Sequence, residues 1–149
     1  MKLKYACLAG ALLAFASPSV AEPWVDYEPT KGFWTVTTIK VDSNKIDDYL
    51  TGLKEGWVPG VELAKRNGLI DDYKIMVNTA NAAAVSNVIL MTHIPNGAAL
   101  DPSKARDMRM RQEGFALVPK KRGDELVAGY NTLRTFVDDG LWQEYKFLK

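Results

Sequence analysis

His93 is the one histidine in the chain, and its type and setting make it the first candidate for chemistry. It lies near the end of a β-rich run, residues 87–94, on the same parity as Ile89 and Met91. Its imidazole would therefore face whatever that sheet surface encloses, where it could act as a general base or as a haem ligand. Trp34, Trp57, Met76 and Met91 would line the same space. Together they form an apolar pocket with one polar handle, which suits a flat or lipophilic small molecule. Each of these residues also has a plainer reading, as aromatic or sulfur-containing core packing around a hydrogen-bonded structural histidine.

Other chemistries lose support. With no second histidine and Cys7 as the only cysteine, a zinc site of the His and Cys type is not expected, and no loop of alternating acids ending in glutamate offers a calcium site. Asp71-Asp72 and Asp138-Asp139 stand close to Gly68 and Gly140, where acids commonly serve turns and helix ends. A nucleophile elbow, a phosphate loop and a dinucleotide fingerprint are all missing, which weakens hydrolase and nucleotide-binding readings. Residues 104–122 hold seven basic side chains against two acidic ones. Such a segment could grip a carboxylate or phosphate, serve as the contact surface of an envelope interaction module, or be a solvated helix face with Asp107 and Arg111 paired four residues apart. Nothing in these residues specifies a cofactor.

The start of the chain bears on compartment. Lys2 and Lys4, an apolar run over residues 5–16, and Ser19-Val20-Ala21 form the pattern of a secretory signal peptide spanning residues 1–21, with the mature chain starting at Glu22. The run is shorter than the roughly 20 residues of a spanning helix, so the expectation is an exported protein, periplasmic or extracellular, without stable membrane insertion. Cys7 precedes most of that run, where an acylated cysteine would follow it, so no lipid anchor is expected. Removing 21 of the 149 residues leaves 128, a size for one domain with one core. The mature chain would carry 17 Lys and Arg against 18 Asp and Glu, a net charge of −1 that draws it to neither nucleic acid nor an anionic surface.

The elements follow from periodicity. Residues 22–31, with Pro23 and Pro29, read as an extended arm before a single domain over residues 32–149. Residues 32–41 (GFWTVTTIKV) are aromatic and β-branched and predict a strand. Ile46, Leu50, Leu53, Trp57, Val61 and Ala64 recur at helical spacing; Pro59 predicts a kink near Trp57 and Val58, and Asn67-Gly68 a left-handed stop. Residues 73–78 and 87–94 predict a hairpin with a loose connection. Asp101-Pro102 predicts a helix start running to Val118 before Pro119. Leu126, Tyr130, Leu133 and Val137 predict a second helix between Gly123 and Gly140, and residues 141–149 a last strand.

Strand, helix, two strands, a helix pair and a strand make the ferredoxin-like split βαβ plan: an α+β fold with a four-stranded antiparallel sheet and helices on one face. Yet both sheet faces carry apolar residues. Trp34 and Val36 oppose Phe33, Ile39 and Val41, while Ile89 and Met91 oppose Val88, Leu90 and Ile94. Helices on one side would leave one set in water, so a partner subunit or a ligand should cover it.

In its element order, and in the run from Trp57-Val58-Pro59-Gly60 to Asn67-Gly68-Leu69-Ile70, the chain resembles the dimeric α/β-barrel superfamily and is most similar in rhythm to its NIPSNAP-like branch. The resemblance implies a homodimer whose sheets face one another around a shared interior. That superfamily includes cofactor-independent monooxygenases, haem-linked enzymes and members without known chemistry, so it implies a fold and a dimer more firmly than a reaction. The expectation is binding of a small apolar ligand in that interior, with an oxidoreductase using His93 as the enzyme alternative.

Overall fold

A computed structural model describes residues 20–80 and 84–149. The expected signal segment up to Ser19, with Cys7, lies outside the described residues, as does part of the hairpin connection. The arm carries a short strand, β1 (Tyr27–Pro29), ahead of the aromatic and β-branched strand β2 (Phe33–Val41). A 3-10 turn at Ser43–Lys45 leads into helix α1 (Ile46–Glu55), and helix α2 (Trp57–Arg66) follows after Gly56. The break falls at Gly56, just before Trp57. Pro59 has no N–H to offer the carbonyl of Glu55 four residues back, so the helical ladder fails there. Asn67-Gly68 ends α2 as the sequence requires. Gly68 has φ +70, its N–H donates to the Lys65 carbonyl, and the Leu69 N–H donates to that of Ala64.

Strands β3 (Asp72–Val77) and β4 (Val88–Ile94) form the expected hairpin. Helix α3 (Lys104–Leu117) starts later than Asp101-Pro102 predicts, because the Ser103 hydroxyl accepts the Arg106 N–H and acts as the cap. Helix α4 (Lys120–Leu133) ends before Val137, and residues 134–142 become strand β5 (Arg134–Trp142). The last strand thus begins well before residue 141. Thr135, Phe136 and Val137 are branched or aromatic at Cβ or beyond, and here pairing with β2 wins over the helical recurrence of Leu133 and Val137. A final short strand, β6 (Tyr145–Phe147), pairs antiparallel with β1, so the arm is tied to the other end of the chain.

The sheet is four-stranded, antiparallel, and ordered β3-β4-β2-β5, which is compatible with a ferredoxin-like α+β fold. Its core lies between one sheet face and the helices. Ile39, Val41, Val88 and Leu90 from the sheet meet Tyr49 and Leu53 of α1 and Leu126 and Tyr130 of α4. Full burial of each aliphatic side chain is worth about 1.5–3 kcal/mol against exposure. A bulge decides what β5 contributes. Asp138 pairs with Thr38, but Phe136 pairs with Ile39, leaving Val137 as the extra residue. That slip turns Phe136 and Arg134 toward the helices; an unbroken register would have sent both to the opposite face. No described helix is long and apolar enough to cross a membrane.

Candidate functional site

Pairing arranges the helix-free face in rows across β5, β2, β4 and β3. Trp142, Trp34, His93 and Asp72 form one row, Gly140, Val36, Met91 and Lys74 the next, and Asp138, Thr38, Ile89 and Met76 the third. Trp34, Met76, Met91 and His93 therefore share one surface. Trp57 is not among them, because the helical face that carries it packs on the other side of the sheet. There its ring stands edge-on to Tyr73, with centroids 5.6 Å apart, and it touches both apolar clusters. The open face is mostly apolar and only partly covered: Trp34, Val36, Ile89 and Met91 are half-buried, while Met76 and Trp142 remain 44% and 57% exposed.

His93 is held at the edge of this surface. Its Nδ1 lies 2.5 Å from Asp71 Oδ1, its Nε2 lies 3.2 Å from the Lys31 carbonyl, and its ring centroid is 4.8 Å from that of Trp34. Both partners accept, so both ring nitrogens donate only in the doubly protonated form. Gly32, at φ +80, lets the backbone pass over the ring; a Cβ there would stand 2.8 Å from the imidazole and collide with the Ile94 carbonyl. The Lys74 ammonium stands 4.4 Å from the Trp34 ring centroid, capping the apolar row with a charge. In this arrangement neither imidazole nitrogen has a free edge for a substrate or a metal. Among the described residues, no group of three or more His, Cys, Asp or Glu is placed to hold a metal ion.

The other face of the sheet holds a cavity. α3 is tethered to the end of α2, where the Asn67 amide donates to Glu113 at 3.2 Å, and it buries no residue of its own. Between α3, α4 and the α1–α2 junction lies an apolar groove of about 460 Å³, walled by Leu53, Trp57, Phe115, Val118, Val127 and Tyr130, with Arg111 and Arg134 among its cations. A smaller recess of about 200 Å³ adjoins it through Trp57 and Arg134, and carries Thr35, Thr37 and Thr92. Arg134 sits in a cage of rings, 5.7 Å from the Tyr49 centroid, 5.0 Å from Tyr130 and 4.3 Å from Phe136. One guanidinium N–H donates to the Tyr49 hydroxyl at 2.9 Å. The Nε is buried without a hydrogen-bond partner among the described residues. Burial raises the Tyr49 hydroxyl above its ordinary value despite the opposing Arg134 contact, and burial with the neighbouring Tyr49 raises Tyr130 likewise. Both phenols thus stay neutral and leave the Arg134 charge without a counter-ion among the described residues.

Comparisons with known proteins add little. No protein-family model and no curated protein matches the chain. Among solved structures, HapK from Hahella chejuensis is similar at 14% identity and TM-score 0.44, over 75% of this chain and 91% of that one.

Arg134 and its ring cage are functional candidates that sequence reasoning missed. A signal was present: Arg134 is the one charged residue in the stretch 130–137, amid Tyr130, Leu133, Phe136 and Val137. A helical reading of that stretch does not single Arg134 out; the bulged strand turns it inward.

Proposed function

We propose that this chain is an exported binding protein that pairs with a second copy through the open face of its sheet, as a dimeric α/β barrel, and holds a small apolar ligand between the sheets. One observation carries the reading: Trp34, Val36, Ile89, Met91, Met76 and Trp142 form a continuous apolar field that no described helix covers. Fields of this kind on small proteins commonly mark association or ligand surfaces. A second copy is the favoured occupant because a twofold interface must complement itself, and this face carries Lys74 together with Asp72 and Asp138. An oxidoreductase using His93 would first need the Nε2 contact to the Lys31 carbonyl to open, so the closed tie favours binding over turnover.

Sedimentation of the mature protein tests the assembly. A dimer is expected, and Met76→Glu with Trp142→Glu should convert it to monomers that no longer bind haemin or a panel of aromatic ligands. A wild-type monomer without a guest molecule would remove the proposal. Export rests on residues 1–21; protein recovered outside the cytoplasm of its host should begin at Glu22, and an intact Met1 there would count against it.

A further inference from the structure

We propose that the groove under α3 is a second binding site, on the opposite side of the sheet from the proposed interior, and that its ligand is a small amphipathic acid whose carboxylate neutralises Arg134. Arg134 carries an uncompensated charge. Full burial of a guanidinium costs several kcal/mol unless it is paired and hydrogen-bonded, and half-buried Arg134 bears part of that cost, most of it at its Nε. Here three aromatic faces and one neutral hydroxyl surround it, its Nε–H has no acceptor, and no carboxylate stands within ion-pair distance among the described residues. Ring faces recover part of that cost. A planar fork of donors is best completed by a planar acceptor, and a carboxylate matches it in two parallel hydrogen bonds.

Charge around the groove is net positive, with Arg111, Lys120 and Arg134 against Asp124 alone. Lys120 is held by Asp124 at 2.6 Å, which leaves Arg111, stacked 5.4 Å from the Phe115 ring, as a second cation without a carboxylate partner among the described residues. The remaining walls are apolar, and a volume of about 460 Å³ lies in the range of small-molecule sites, roughly 300–1,000 Å³. A polyanion would find too few partners here, and a neutral apolar guest would leave Arg134 unpaired. An acid with one carboxylate and an aliphatic or aromatic body satisfies both parts. Access lies past Val127 and Phe115, both substantially exposed at the rim.

Calorimetric titration of the intact mature protein with decanoate, decan-1-ol and decyltrimethylammonium tests this. Decanoate should bind once per chain, with decanol at least tenfold weaker, about 1.4 kcal/mol, and the cation not at all. Arg134→Gln should lose that tenfold preference while keeping decanol affinity within twofold, and Lys121→Gln, an exposed cation outside the groove, should change neither. Should Arg134→Gln fail to fold, Val127→Glu decides: it places a carboxylate at the exposed rim and should abolish decanoate binding with an unchanged melting temperature. Equal affinity for decanoate and decanol, no binding of decanoate, or decanoate binding untouched by both variants would each overturn the site.

Discussion

Replacing Gly52 with alanine sets two energies of opposite sign against one another. In a helix interior alanine is favoured over glycine by about 0.8–1 kcal/mol, so α1 gains by itself. The Cβ, however, would stand 2.6 Å from Tyr130 Cε1 and 3.4 Å from Cδ1. Tyr130 cannot simply pivot, since it is 7% exposed and its hydroxyl donates to the Gly52 carbonyl at 2.5 Å. Overpacking of this kind costs about 1–3 kcal/mol, and losing the hydrogen bond adds about 1 kcal/mol. Helix preference offsets roughly the last of these, leaving a net loss of about 1–3 kcal/mol. Gly60 is the internal control: it lies in α2 with nothing within 4 Å of the point a Cβ would occupy, so Gly60→Ala should gain about 0.5–1 kcal/mol. Urea unfolding followed by circular dichroism, at one protein concentration, measures both. Thermal midpoints should move in opposite directions, by about 2–4 °C per kcal/mol. If Gly52→Ala proves as stable as Gly60→Ala, the α1–α4 contact is not packed as described.

Three further outcomes are expected. Gly32→Ala should destabilise by about 2 kcal/mol or more, because φ is +80 and the new Cβ runs into the Ile94 backbone; a shift of the His93 ring signals by NMR should accompany it, and an unmoved melting point would contradict this. Asn87→Leu should cost about 2–4 kcal/mol, since the buried amide both accepts the Val41 N–H at 2.8 Å and donates to the Val41 carbonyl at 2.7 Å; denaturant midpoints read the loss, and wild-type stability would refute it. Burial raises the Tyr49 and Tyr130 hydroxyls above 10.0 in the folded chain, so the folded state holds its protons longer than the unfolded one. Stability should be complete below that value and fall as pH rises through the raised ones. Tyr49→Phe should flatten the decline, and equal slopes would argue against it.

Legibility of the fold followed the range of the interactions. β2, the β3–β4 hairpin and the stop at Asn67-Gly68 were readable because local residue preference and burial agree there. The helix break was readable from Pro59, though it falls at Gly56 because the missing donor acts four residues upstream. The start of β5 was not. Leu126, Tyr130 and Leu133 set a helical beat that Val137 happens to continue, and only pairing with β2, about a hundred residues earlier, makes Arg134 a strand residue. The same gap explains the site. Alternation along β2, β3 and β4 gathered Trp34, Met76, Met91 and His93, whereas Trp57 sits on a helix whose packing side alternation does not address. Asp71, which holds His93, looked like a turn residue because its partner is 22 positions away.

The pairing of β1 with β6 has a consequence for how the molecule is completed. Tyr27 lies opposite Phe147, the Leu148 N–H donates to the Asp26 carbonyl at 2.7 Å, and the Thr30 N–H donates to that of Glu144 at 2.8 Å. During synthesis β1 must therefore wait for a segment about 120 residues later in the chain before it finds its mate. The ribbon can form only after the sheet and helices between its two strands have been made, as a clasp across them, and deleting either strand should free the other.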